Sequence, residues 1–467
     1  SVSGNDVLID VATSNPKENI DAKIICAVYD SDNRLKLIKE DNITVASGES
    51  DTKKTIALSG VEETDKITFY FWNNGQNLYP VTDSYSYVVP GEISEYSLLD
   101  ANVAENNVRI CGRGEVVDYK ADKDAAAVKT RTFNWTNSGF EFEFTGIVAS
   151  VYVDKSSYDD SVTNGNYFNV VSRCEPNGEV SVNRIKLKQG WNEIFKADKK
   201  GTYTIALKRS SEASRGTIGI SKIRTDGEPR ATLAKAKKIE FIGDSLTSGE
   251  GGRGPQSFME WVPMCFSASD NYTRFVADRL NAQYQLVSQS GWGVHCGWNN
   301  DPHCNLPRIY DQLCGPQAGQ TREENWGSGK PYDFSFQPDD VVIALGANDN
   351  GATKQPPFTD PVTGREFKLH DTSEDLAVFE HEALDFLRHL HQRNPGARLT
   401  WFSYFRENPI VQATRRAVER AAAEGIPVQF GSVDGESLPA SWQGSRNHPG
   451  VRAEQYMARA LVRLLKK

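Results

Sequence analysis

The chain has 467 residues and carries 53 Lys and Arg against 62 Asp and Glu, for a formal net charge of −9 and a pI near 5.5. An acidic chain repels phosphate, which argues against nucleic acid and anionic membrane surfaces as partners, and no apolar run approaches the ~20 residues of a membrane span. Hydrophobic residues at 38% and charged residues at 25% exclude a disordered chain, and the length suggests two to four domains at roughly 100–200 residues each.

The first half reads as all-β. Short apolar or alternating runs recur at Ala22–Tyr29, Lys54–Leu58, Lys66–Trp72, Phe140–Phe144 and Ile147–Val153, separated by turn-forming stretches such as 30–33 and 73–75. Strands at this spacing suggest two β-sandwiches. The first spans residues 1–100 and is expected to be an Ig-like accessory domain; the second spans 101–228 and is expected to be a jelly-roll, followed by a linker at 226–230.

From residue 235 the pattern changes. Lys237–Ile242, Tyr284–Val287, Asp340–Leu345, Arg398–Tyr404 and Val428–Phe430 read as buried strands. They alternate with helical stretches at Asn271–Asn281, Glu374–Arg393, Ile410–Glu424 and Val451–Leu465. Such alternation predicts an α/β domain at 235–467 with a parallel, flavodoxin-like sheet covered by helices. Ligands on such sheets bind at the carboxyl ends of the strands, so the loops there are where chemistry is expected.

Those loops carry four blocks. After the first strand comes Gly243-Asp244-Ser245, where Ser245 opens a helix with its hydroxyl exposed and nearby amides favouring negative charge. After the second comes Ser288-Gln289-Ser290-Gly291-Trp292-Gly293; glycine lets a backbone amide approach a substrate, and Gly293 is the first choice for that donor with Gly291 next. The third ends at Gly346-Ala347-Asn348-Asp349, whose Asn348 amide could donate to an oxyanion beside Ser245. Before the last helix, His448-Pro449 places a base in a loop. Each block taken alone is an ordinary turn.

Together and in this order they resemble the SGNH (GDSL-like) hydrolase superfamily. The segment 107–222, with Gly112-Arg113-Gly114 and Phe140–Gly146, and the phrase Lys238–Ser245 resemble carbohydrate esterase family 2, whose members carry a β-sandwich before the SGNH domain. That resemblance implies a metal-independent serine esterase, without cofactor, that removes acetyl groups from xylan or mannan through an acetyl-enzyme. Ser245 would be the nucleophile, His448 the base, and Gly293 and Asn348 the oxyanion donors. Many superfamily members place an aspartate three residues before the histidine; here that position is Ser445, so a backbone carbonyl or Asp434 is the candidate orienting group. Trp292 and Trp442 flank the catalytic positions and are expected as sugar platforms, with Trp298 and Trp326 near the same mouth, and Asp244 and Asp349 as further substrate contacts.

Seven cysteines are present; Cys265, Cys296, Cys304 and Cys314 fall close enough in sequence for one or two loop disulfides in an oxidising compartment. His295-Cys296 and His303-Cys304 fit no standard zinc spacing, so no metal is expected. Asn42, Asn134 and Asn271 open glycosylation sequons. The chain opens at Ser1 rather than Met, as an exported chain does after leader removal, so a secreted or cell-surface monomer is expected. The alternatives are an SGNH esterase acting on another ester (acetylated sialic acid, peptidoglycan, an aryl or lipid ester) and an inactive carbohydrate-binding protein.

Overall fold

A computed structural model of the chain describes residues 2–3, 6–10, 18–47, 54–74, 80–119, 126–156, 163, 165–212, 214, 216, 218–315 and 330–466. Two β-rich units precede an α/β unit, in the fold class expected.

In the first unit, a three-stranded sheet (Val2–Ser3, Asp6–Asp10, Thr55–Leu58) faces a four-stranded antiparallel sheet. The latter runs in the order Leu35–Val45, Ile20–Tyr29, Lys66–Asn73, Tyr85–Val88. Alternate residues point inward, so Ile56 and Leu58 meet Ile24, Cys26, Ile67 and Phe69 in one apolar cluster.

The second unit is built on a ten-stranded antiparallel sheet wrapped around Phe140, Phe142, Phe144, Val151, Phe168 and Leu207. The two runs anticipated at Phe140–Phe144 and Ile147–Val153 are one long strand, Gly139–Ser156. It shifts register between Gly146 and Val148, where the Asp226 carboxylate accepts the Ile147 and Val148 N–H groups at 2.9 and 3.0 Å. The segment expected as a linker at 226–230 is therefore stapled to the sandwich at its start, through the buried Asp226, while Glu228 and Arg230 face solvent. Asp226 holds the bulge, and Gly227 lies so near the Thr145 carbonyl that a Cβ would sit 2.0 Å from it.

In the third unit five parallel strands form the sheet: β1 (Lys237–Gly243), β2 (Ala282–Ser288), β3 (Asp340–Ala344), β4 (Arg398–Ser403) and β5 (Val428–Ser432), in the order β2-β1-β3-β4-β5. That order reverses direction beside β1, which creates a crevice at the strand ends between β1 and its neighbours. The strands are largely apolar on both faces because both are covered, with Glu240 in β1 and Gln285 in β2 among the buried polar exceptions. Ile242, Val341, Ile343 and Leu399 pack against α4 (Ser373–Arg393) and α5 (Pro409–Ala423). Ile239, Phe241, Val342 and Phe402 pack against α2 (Tyr272–Arg279) and α6 (Val451–Leu465). Side-chain caps start α2, α4 and α5: Asn271 accepts from Thr273 N–H, Thr372 from Asp375 N–H and Asn408 from Val411 N–H. Gly425, at φ 90°, sits in the left-handed conformation just beyond α5.

The second and third units are locked together by buried side chains. Trp135, from the β-sandwich, lies in the core of the α/β unit and donates its indole N–H to the Leu313 carbonyl at 2.7 Å. Arg113 reaches the Tyr310 and Gln312 carbonyls, pairs with Glu240 at 3.3 Å and lies over the Tyr332 ring. The resemblance pointed to Gly112-Arg113-Gly114 as a family phrase; its physical content is this lock.

The loop disulfides do not form: all seven cysteines are free thiols. Cys314 accepts from Asn134 Nδ2 at 2.9 Å, Cys304 faces Asp301, and Cys296 is buried in the core. Two of the three sequon asparagines, Asn134 and Asn271, are buried and hydrogen-bonded inside the protein, which leaves no room for a glycan on either. Among the described residues no cluster of three or more His, Cys, Asp or Glu has a metal-holding arrangement, and no helix is long and apolar enough to cross a membrane.

Candidate active site

β1 ends at Gly243, and Asp244 caps the short helix α1 (Ser245–Ser248) by accepting the Leu246 N–H at 3.1 Å. Ser245 is thus the first helical residue, its side chain at the end of the sheet. The turn before α6 brings in the imidazole of His448, whose Nε2 lies 2.9 Å from Ser245 Oγ although the two residues are 203 positions apart. The Arg446 carbonyl accepts from Nδ1 at 3.1 Å. A carbonyl can only accept, so Nδ1 carries the proton and Nε2 presents its lone pair to the serine hydroxyl.

The orienting acid expected at Asp434 is elsewhere. Asp434 pairs with Arg406 at 3.1 Å and caps Ser437, on an exposed turn after β5. The carboxylate that faces the imidazole is Glu250, 3.8 Å from Nδ1 and buried, with Arg446 Nε 2.6 Å away. Arg446 and Asn447 both sit at φ 57°, in left-handed backbone that ordinary side chains rarely adopt. Bonds that hold this turn include Glu250 to Arg446, the Arg446 N–H to the Phe258 carbonyl at 2.9 Å, Arg446 Nη1 to the Met259 carbonyl at 3.3 Å, and Gln256 to Asn447 at 2.9 Å. The sequence reading missed Glu250; its one signal was a lone charged residue between Gly249 and Gly251, five positions after the serine.

Asn348, on α3 (Ala347–Ala352) just beyond β3, donates its amide to Asp244 Oδ2 at 3.2 Å and to the Trp292 carbonyl at 2.9 Å. It therefore ties the serine turn to the loop after β2. Asp244 is fully enclosed, and burial together with the neighbouring charges of Asp349 and Glu250 pushes its carboxyl up to about 7, against the Leu246 N–H bond. Asp349 is buried as well and accepts the N–H groups of Val294, His295 and Cys296 at 3.0, 2.8 and 3.3 Å. Burial raises its carboxyl, and those three amides act the other way. Neither aspartate is open to a substrate: the expected substrate contacts are staples that shape the loops.

The choice between the two glycines is also reversed. Gly293 N–H is spent on the Cys304 carbonyl at 3.3 Å, and a Cβ there would sit 2.4 Å from Asp349 Oδ2. Gly293 is small because Asp349 packs against it. Gly291, at φ 80°, has no acceptor on its N–H among the described residues. Trp292 is half-buried against the core, Trp442 is half-buried against Tyr456, and Trp326 lies outside the described residues. Trp298, by contrast, is 52% exposed, with its indole directly against Gly291.

Residues 241–455 match the GDSL-like Lipase/Acylhydrolase family. The chain is 30% identical over 227 residues to the cellulase/esterase CelE of Acetivibrio thermocellus, covering 46% of this chain and 24% of that protein. It is 26% identical over 231 residues to an acetylxylan esterase / glucomannan deacetylase of Cellvibrio japonicus, covering 48% and 60%. The chain thus spans less than two thirds of either curated relative, about a quarter of the first and 60% of the second. Among solved structures, the acetyl xylan esterase Est2A from the rumen bacterium Butyrivibrio proteoclasticus aligns with a TM-score of 0.68 and 28% identity over 80% of this chain and 98% of that one. A family two carbohydrate esterase from Cellvibrio japonicus shares the fold, with a TM-score of 0.61 at 19% identity, over 80% and 97%.

A serine–histidine pair above the β1 end of a β2-β1-β3-β4-β5 sheet, within the matched segment, defines an SGNH (GDSL-like) hydrolase domain. Within that class the chain resembles the family 2 carbohydrate esterases, β-sandwich included.

Proposed function

We propose that the protein is an esterase that removes O-acetyl groups from a plant cell-wall polysaccharide, xylan or mannan, through an acetyl-enzyme. The observation that carries this reading is the 2.9 Å contact between His448 Nε2 and Ser245 Oγ, with the imidazole tautomer set by the Arg446 carbonyl. His448 takes the hydroxyl proton as Ser245 Oγ bonds to the acetyl carbon, and the carbonyl electrons move onto oxygen. Three donors are assigned to that oxyanion: the Ser245 and Gly291 amides and Asn348 Nδ2, whose longer bond, to Asp244 Oδ2 at 3.2 Å, must give way for it to donate there. The carbon–sugar oxygen bond then breaks, and the departing oxygen takes the proton from His448. Water, deprotonated by the same imidazole, then bonds to the acetyl carbon; the bond from that carbon to Ser245 Oγ breaks, Oγ takes the proton back from His448, and acetate leaves. No step requires a cofactor. Glu250, close to the imidazole, opposes the positive charge that forms on it.

The names of the relatives support the substrate class: acetylxylan and glucomannan are the polymers given for the Cellvibrio japonicus protein, and acetyl xylan for Est2A. Trp298, exposed beside Gly291, offers an aromatic face to a sugar ring. A polymer of this kind is met outside the cell, so the protein is placed as secreted or surface-bound. An accessory sandwich at 1–100, a jelly-roll at 101–228 and a catalytic unit at 235–467 belong to the same reading, supported by separate apolar clusters. Acetate release from acetylated xylan and acetylated glucomannan tests it: wild-type protein should release acetate and Ser245→Ala should not. Wild-type protein silent on both polymers but active on a longer acyl ester would overturn the substrate assignment.

A further inference from the structure

The loop after β2 is held from outside its own unit. Glu212, in the loop that follows the β-sandwich strand Gly190–Arg209, is fully buried against the α/β unit. Its Oε2 accepts the Ser290 N–H at 2.8 Å, and its Oε1 accepts Gln289 Nε2 at 2.9 Å and Ser214 Oγ at 2.8 Å. Gln289 Nε2 also reaches Ser214 Oγ at 2.9 Å. The Glu212 backbone is fixed in turn by Arg209, a buried guanidinium that donates to the carbonyls of Phe133 at 3.0 Å, Ser211 at 3.1 Å and Glu212 at 3.0 Å.

The α/β unit itself secures the neighbouring amides: Gln289 N–H goes to the Gly243 carbonyl at 3.1 Å and Trp292 N–H to the Gln289 carbonyl at 3.3 Å. Ser290 N–H has Glu212 as its partner, and Gly291 N–H is the next along the chain. The Gly291 N–H is thereby bracketed: Glu212 holds the peptide before it through the Ser290 N–H, and the Trp298 N–H holds the peptide after it by donating to the Gly291 carbonyl at 2.9 Å. We propose that Glu212 is a positioning residue for the esterase, a carboxylate of the β-sandwich that aims the Gly291 amide at the oxyanion. This rests on the reading of Ser245, Gly291 and Asn348 given above. A carboxylate enclosed with neutral donors only is a costly way to fill space, since burial raises its pKa and the Glu250 charge raises it further.

The test uses the full chain as wild type, Glu212→Ala, Glu212→Gln and Ser245→Ala, each with its active sites titrated by a fluorophosphonate serine probe. On 4-nitrophenyl acetate, kcat per titrated site should fall about 10–100-fold in Glu212→Ala with KM within about twofold, as expected for a displaced transition-state donor. Glu212→Gln keeps one acceptor for Ser290 N–H and should recover part of that loss. If the variants lose only active sites, with kcat per site at the wild-type value, Glu212 is merely structural and the proposal is overturned. Equal kcat in the Ala and Gln variants, both far below wild type, also overturns it, because the amide contact would not be what matters. Should Glu212→Ala fail to fold, kcat per site in Glu212→Gln decides alone, a wild-type value being the refutation. Ser245→Ala as active as wild type would sink the catalytic reading and this inference with it; inactive Ser245→Ala beside an unimpaired Glu212→Ala sinks this inference only.

Discussion

Replacing Asn348 by alanine separates binding from chemistry. The side chain makes two bonds in the resting site, to Asp244 Oδ2 at 3.2 Å and the Trp292 carbonyl at 2.9 Å, and its amide is the one side-chain donor assigned to the oxyanion. Loss of such a donor costs ~3–4 kcal/mol of barrier, or roughly 10²–10³ in kcat, because the charge develops only in the transition state. KM should change by no more than about twofold, since the ground-state ester makes little use of the donor. A second cost falls on the fold. Asp244 is fully enclosed, and removing its donor leaves a buried carboxyl oxygen unpaired, at about 1–3 kcal/mol. Steady-state kinetics on 4-nitrophenyl acetate and urea denaturation of the same samples read the two effects apart. A variant whose kcat stays within about threefold of wild type would refute the donor role even if its stability fell as expected.

Further outcomes follow from other contacts. Glu250→Gln should lower kcat by about tenfold or more while leaving KM near wild type, as it removes the charge 3.8 Å from the imidazole and loosens the turn held by Arg446; stopped assays on an aryl acetate would show it. Trp298→Ala should raise KM for acetylated xylan while leaving 4-nitrophenyl acetate kinetics unchanged, because only the polymer has a sugar ring to stack. Arg113→Met should destabilise the protein by ~3–5 kcal/mol in chemical denaturation, since Glu240 would be left buried without its cation. The Asp244 carboxyl, raised to about 7, holds its proton more tightly folded than unfolded. Its contribution to stability is therefore full below the ordinary carboxylate range of about 4 and is lost as pH rises through about 7. Asp244→Asn should accordingly show a shallower fall in melting temperature than wild type between about pH 4 and 7, and an unchanged slope would contradict the assignment.

The parallel sheet was legible because its strands are largely apolar on both faces, and α6 begins and ends at the residues its spacing predicted, Val451 and Leu465. The pair Ser245 and His448 was legible because loops at strand ends are local features of the chain. What escaped depends on contacts made at long range. Asp434 was a candidate beside a backbone carbonyl because it is close to His448 in sequence, whereas the carboxylate close in space is Glu250, nearly 200 positions away. Gly293 and Gly291 look alike as letters, and only the carbonyl of Cys304 and the packing of Asp349 tell them apart. Asp244 and Asp349 read as surface acids beside a site, yet both are enclosed. Glu454 breaks the apolar face of α6, where the sequence gives no hint that it caps α2 by accepting the Tyr272 N–H at 2.8 Å. Nor does anything in the first half of the chain announce that Glu212 belongs to a loop more than 70 residues on.

The most direct test is to quench the enzyme during turnover of 4-nitrophenyl acetate and map the acetylated peptide by mass spectrometry. An acetyl group on Ser245, absent when His448 is replaced by alanine, is the expected result. Steady acetate release that continues in Ser245→Ala protein, with no acetylated serine in the wild type, would contradict it.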